Sequence, residues 1–135
     1  MKVKYFIPSI ITMILIFFFS AQTGSESAAL SNGFLLWIQQ TLNISIPSLL
    51  IRKCAHMSEY AILMFTFLYG FKKNNIKHSV IYAFLSTVLY AFTDEFHQLF
   101  VENRSGSMID VFIDSLGAVI TTLLYKIKKS LHTSV

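Results

Sequence analysis

Charge is what this sequence has least of: 13% of its 135 residues are Asp, Glu, Lys or Arg, against about 25% in an ordinary soluble domain. With 54% hydrophobic residues, 15% aromatic residues and a mean hydropathy of +0.59, too few polar side chains remain to cover a water-facing surface. A single cysteine, Cys54, excludes an internal disulfide, and no Cys or His pair has zinc-finger spacing. The formal net charge is +4, but the basic residues form no patch, which excludes a nucleic-acid partner. There is no internal repeat, and the length allows one small bundle and no second domain.

What the chain has instead is long apolar runs. A membrane span needs about 20 apolar residues to cross a core of roughly 30 Å, and four segments approach this. The expectation is all-α: an integral membrane bundle of four transmembrane helices at about 5–20, 51–71, 79–100 and 108–126, in a single domain over 1–135. The first run has Lys2 and Lys4 before it and a polar segment behind it. Cleavage after Ala21 would place Phe19 at a position that wants a small side chain, so the segment reads as a retained span rather than a signal peptide. The other three carry ionisable residues at one end. About thirty residues separate the first two spans, and Phe34, Leu35, Trp37, Ile38 and Leu42 predict a short interfacial helix there, ended before Pro47.

The basic residues set the orientation. Lys2, Lys4, Lys72, Lys73, Lys77, Lys126, Lys128 and Lys129 make eight of the eleven, and an even number of crossings puts all eight on one side. Both termini are therefore expected in the cytoplasm. All seven acids (Glu26, Glu59, Asp94, Glu95, Glu102, Asp110 and Asp114) then fall toward the outer half, with Arg52, Lys53 and Arg104 as their basic company.

Rise along each helix brings these residues to similar levels. Counted from the inner ends, Glu59 lies about 18 Å up, Asp114 about 17 Å and Asp94 about 22 Å. Facing follows the helical period: Arg52, His56 and Glu59 share a side, as do Tyr90, Asp94 and His97, and Asp110, Asp114 and Gly117. A charge facing lipid costs at least about 2.5 kcal/mol, so three polar stripes are expected to converge inward. Registry alone needs only one or two interhelical polar contacts. The larger set predicts an outward-facing pocket formed by His56, Glu59, Asp94, His97, Asp110 and Asp114 as catalytic candidates. Gln22, Arg52, Lys53, Glu95, Gln98 and Arg104 are the substrate-binding candidates.

Three chemistries fit that set. The carboxylates and imidazoles match the mixed oxygen and nitrogen ligands of a divalent cation, although there is no HExxH pattern. Without metal, a carboxylate would orient His56 or His97 as a general base while Arg52, Lys53 or Arg104 held an anionic group. A proton- or cation-coupled carrier is the third. A structural protein whose stripes only hold the helices together is the non-enzymatic alternative. Cys54 reads as a packing residue, Gly117 as a close-packing point, and the segment around Arg104, Ser105 and Gly106 as a turn in which Arg104 is within reach of Asp110.

RKCAHMSEYAIL at 52–63, YAFTDEFHQLFVENRSGSMIDVFIDSLGA at 90–118 and FSAQTGSES at 19–27 together resemble the VanZ-like family of bacterial membrane proteins. The resemblance covers nearly the whole chain and includes Ser20, Gln22, Lys53, His56, Glu59, Tyr60, Asp94, Glu95, His97, Gln98, Arg104, Asp110, Asp114 and Gly117. Thr121 departs from it, standing where relatives carry a second glycine. The resemblance implies a multi-pass protein of the bacterial cytoplasmic membrane and a link to teicoplanin, a lipid-bearing glycopeptide that acts outside that membrane. The partners it implies are the lipid bilayer and an amphiphilic or lipid-linked envelope molecule. It supplies no catalytic residues.

Overall fold

The computed structural model describes residues 1–43 and 46–133. Local chemistry sets where each helix starts and stops. One 3-10 turn, Val3–Phe6, leads into α1 (Ile7–Ser20), and Pro8 falls in the first turn, where its missing N–H has no helical partner to lose. α2 (Gly24–Leu42) opens with a capping box: Thr23 Oγ1 accepts the Glu26 N–H at 3.3 Å, and the Glu26 carboxylate accepts the Thr23 N–H at 2.8 Å. That backbone hydrogen bond, reinforced by the Thr23 hydroxyl, holds the Glu26 carboxyl below its usual pKa. α2 ends at Asn43, in the left-handed conformation with φ 53°. α3 (Ser48–Lys73) begins directly after Pro47. Asn75 and His78, both at positive φ, turn the chain into α4 (Ser79–Gln98), and α5 (Met108–Thr133) completes the fold.

The result is all-α, with five α-helices and no strand among the described residues. Several boundaries differ from the sequence expectation: α1 starts two residues later, and α3 extends three residues further at its start and two at its end. α2 is 19 residues long rather than a short helix beginning near Phe34, because the capping box starts it at Gly24. α4 stops at Gln98 instead of 100. α5 continues past 126, since Lys126, Lys128 and Lys129 sit in its C-terminal turns, where cations complement the helix dipole, and no Gly or Pro interrupts them.

α3 lies at the centre, packed on α1, α2, α4 and α5, with α5 giving the most extensive interface. Its buried residues Tyr60, Leu63, Met64 and Leu68 contribute to two adjoining core clusters, one with Ile16, Ala91 and Val111, the other with Ala83 and Ala118. Small residues let the backbones approach. At Gly117 an added Cβ would stand 2.0 Å from the Met57 carbonyl oxygen, so α3 and α5 cross at a point only glycine allows. One turn on, Thr121 donates a hydrogen bond to the Ala61 carbonyl at 3.0 Å. The departure from glycine there is absorbed by a polar contact without loosening the crossing.

Two segments, Val3–Ser20 and Met108–His132, are long and apolar enough to cross a membrane, with 17% and 22% of their most apolar 18-residue stretch buried. A core helix of a water-soluble protein would be mostly buried, whereas here Ile14, Phe18 and Leu124 stand 61% to 63% exposed. α3 is interrupted by ionisable residues in its N-terminal half and α4 in its C-terminal half. The up-and-down order puts the C-terminal ends of α1 and α4 beside the N-terminal ends of α3 and α5. At the opposite end the Lys2 N–H donates to Asn74 Oδ1 at 2.6 Å, Phe6 packs edge-on against Phe71, and Lys72 donates to the Tyr125 hydroxyl. Those contacts gather Lys2, Lys4, Lys72 and Lys73 with the lysines of α5, so the separation of basic from acidic residues is a property of the folded chain.

Candidate functional site

Beside an open hollow of about 560 Å³ between α1 and α2, the acid-bearing end holds two neighbouring cavities that share part of their lining. The larger, about 260 Å³, lies between α2 and α3 beneath the end of α1. Its α2 wall is Ser27, Leu30, Ser31 and Phe34, the inward-facing stripe of one helical period. Phe19 and Ile51 add to that apolar wall, and Arg52, His56, Glu59, Gln22 and Arg104 supply the polar side. The smaller, about 200 Å³, is mainly polar and lies among α3, α4 and α5. It is lined by Lys53, Glu95, Gln98, Asn103, Ser105, Asp110 and Asp114 together with Leu49 and Ile113. Arg52, His56 and Arg104 belong to both linings. They form the partition between an amphiphilic hollow and a polar one.

The α4–α5 loop is built to hold Arg104 on that partition. Gly106 brings the loop against α4, where a Cβ would lie 2.2 Å from the Glu95 carbonyl oxygen. The Glu95 carboxylate accepts the Ser107 N–H at 2.9 Å and so caps the start of α5. Arg104 then donates to the Phe19 and Gln22 carbonyls, each at 3.1 Å, and to Gln98 Oε1 at 3.4 Å. The guanidinium thus satisfies orphan carbonyls at the end of α1. Burial and, after it, the neighbouring Arg52 charge pull its pKa below the usual value. Two like charges held side by side favour an anion between them. Gln98 extends the chain of contacts by donating to Asp94 at 3.2 Å and to Glu95 at 3.1 Å.

The other predicted residues are placed as follows. Lys53 pairs with Asp110 at 2.7 Å, joining α3 to α5, so Asp110 takes Lys53 as its partner instead of Arg104. His56 Nδ1 stands 3.6 Å from the Glu59 carboxylate, one helical turn away. Asp114 is buried at 1% exposure, and its Oδ2, like Arg52 Nε and His56 Nδ1, has no hydrogen-bond partner among the described residues. These three unpartnered groups all border the cavities. Asp94 is buried behind Gln98 and borders neither.

His97 turns toward α1, stacked on Phe17 with ring centroids 4.6 Å apart. Tyr90, on the same stripe, donates to the Met13 carbonyl of α1 at 2.6 Å. Cys54, read from sequence as a packing residue, is instead exposed on the surface of α3. Among the described residues no group of three or more His, Cys, Asp and Glu side chains is close enough to hold a metal ion. Sequence reasoning missed the apolar wall, although the spacing of Ser27, Ser31 and Phe34 along α2 carries it.

A family model described as VanZ/LLP1 matches residues 5–129. No curated protein and no solved structure matches the chain.

Proposed function

The chain belongs to the VanZ/LLP1 family, and from that premise we propose a four-span protein of the bacterial cytoplasmic membrane, with both termini inside and its cavity-bearing end outward. There it binds or modifies an amphiphilic or lipid-linked envelope molecule, the reading that ties it to teicoplanin. The observation that carries this is the pair of adjoining hollows divided by Arg52, His56 and Arg104. An amphiphile needs an apolar compartment beside a charged one, and Phe19, Leu30, Phe34 and Ile51 face the first while carboxylates and amides face the second. Arg52 and Arg104 hold an anionic group. His56, beside Glu59, is the proton acceptor of choice, with Asp114 facing it across the polar hollow.

Measuring teicoplanin susceptibility at matched membrane abundance tests the function. His56→Ala and Asp114→Asn are expected to change it, and unchanged susceptibility in both removes the polar end from the account. Topology is tested separately through Cys54, which is exposed and is the chain's single cysteine. A membrane-impermeant maleimide is expected to label it in intact cells, and labelling only after lysis reverses the orientation.

The interhelical contacts favour a second, non-enzymatic reading for part of the set. Lys53 with Asp110, and Arg104 with the end of α1, join separate helices and meet the structural need by themselves. Substitutions there that lower the amount of folded protein while preserving activity per molecule support that division.

A further inference from the structure

The opposite, lysine-rich end carries a second built feature that the polar site does not use. A groove of about 580 Å³ runs between α3 and α5, lined by Ala61, Ile62, Phe65, Thr121, Leu124, Tyr125 and Lys128. It shares Phe65 and Tyr125 with a hollow of about 280 Å³ that reaches Leu68, Tyr69, Lys72 and Lys73. From Ala61 to Lys73 the groove follows about 18 Å of helix, slightly more than half the roughly 30 Å hydrocarbon core of a bilayer. Its length matches one leaflet. The floor is apolar throughout, and the cations stand at one end only.

Those cations are also positioned. Lys72 donates to the Tyr125 hydroxyl and sits over that ring, 4.5 Å from its centroid, and Lys73 lies 5.9 Å from the Tyr69 ring. Every acidic side chain of the sequence belongs to positions 26, 59, 94, 95, 102, 110 and 114, so no Asp or Glu lines this groove. An apolar trough one leaflet long, closed by lysines with tyrosine between them, complements a ligand with a hydrocarbon chain and a phosphate.

We propose that this groove seats an anionic phospholipid of the cytoplasmic leaflet, with its phosphate among Lys72, Lys73 and Lys128 and one acyl chain along Phe65 and Leu124. The inference rests on the membrane reading above and is independent of the polar site. The test is native mass spectrometry of the purified full chain, titrated with phosphatidylglycerol or phosphatidylcholine of identical acyl chains. Because lysines near a headgroup each favour its negative charge, phosphatidylglycerol is expected to be retained about tenfold better.

The triple variant Lys72→Gln, Lys73→Gln and Lys128→Gln is expected to lose that preference. Ile62→Trp keeps every lysine but fills the groove, and is expected to lower retention of both lipids, which diffuse attraction to a charged surface would not do. Cys54→Ser, on the exposed surface of α3 and outside every lining described above, is expected to leave both values unchanged. Equal retention of the two lipids by the wild-type chain, or wild-type behaviour of the triple or the Ile62→Trp variant, overturns the proposal. Failure of the wild-type chain to retain either lipid overturns the membrane reading beneath it.

Discussion

The two ends of the bundle share α1, α3, α4 and α5, with α2 added at the acidic end, and solve opposite problems. At the lysine end the helices close through aromatic contacts, Phe6 on Phe71 and Tyr5 on Tyr69. Charge is left at the rim, where lysine stems reach outward at little cost. At the acidic end the helices close through Arg104, Gln98, Glu95 and the Lys53–Asp110 pair, with charge placed inside. Carboxylates and guanidiniums are harder to desolvate than rings. An end closed this way needs cavities to spare some of those groups full burial, and it is the end where unpartnered Arg52, His56 and Asp114 atoms collect. The difference teaches that the two ends are closed by different means: one by aromatic packing with charge at the rim, the other by hydrogen bonds and an ion pair around hollows.

The largest expected effect breaks the acidic end at its one multidentate link. Arg104→Ala removes three hydrogen bonds and takes the guanidinium from the Gln22 carbonyl, a loss of about 2–3 kcal/mol for charged hydrogen bonds at a half-buried site. Lys72→Ala, which removes one rim contact, is expected to cost less than about 1 kcal/mol. Denaturant unfolding of both variants in one detergent checks the contrast, and equal losses would mean that the two ends are closed alike. Next comes Gly106→Ala, whose Cβ meets the Glu95 carbonyl oxygen at 2.2 Å. Displacing the loop there is expected to cost about 1–2 kcal/mol and to shift Arg104 off the partition, so stability and activity fall together.

A smaller effect belongs to the Lys53–Asp110 pair. At 33% and 36% side-chain exposure the pair is screened, and a double-mutant cycle with Lys53→Met and Asp110→Asn is expected to return a coupling of about 1 kcal/mol or less. A coupling of several kcal/mol would mark a desolvated pair and assign it to the chemistry of the polar hollow.

Much of this division was legible in the sequence, because the positions of Lys, Asp and Glu along apolar runs are a one-dimensional record of depth. The all-helical class and the gathering of acids at one end follow from counting rise and period. Partner choice does not follow from counting. The sequence places Arg104 in a turn within reach of Asp110, yet the loop geometry sends its guanidinium to α1 and leaves Asp110 to Lys53. Asp94 and His97 share a stripe, but three residues advance about 300° around a helix, and the remaining offset is enough to point His97 at Phe17 on α1 while Asp94 lies behind Gln98. The start of α2 was present as Thr23-Gly24-Ser25-Glu26, a capping box among residues that read simply as polar.

That capping box gives the last and smallest contrast, one of pH. Glu26 is exposed, and its pKa is lowered by accepting the Thr23 backbone N–H and hydroxyl. A carboxylate whose folded pKa lies below its unfolded value stabilises the fold above the unfolded value and loses that contribution as pH falls through the folded one. The start of α2 should therefore fray as pH drops below the ordinary glutamate value of 4.5, while the α3–α4 turn at the lysine end, which has no carboxylate, keeps its protection. Amide exchange of α2 across that range reads the effect directly. Glu26→Gln is expected to remove the pH dependence, because its side chain does not ionise. If wild type and Glu26→Gln lose protection along the same acid profile, the cause lies with the buried carboxylates of the cavity end, and α2 is held down by the polar site rather than by its own cap.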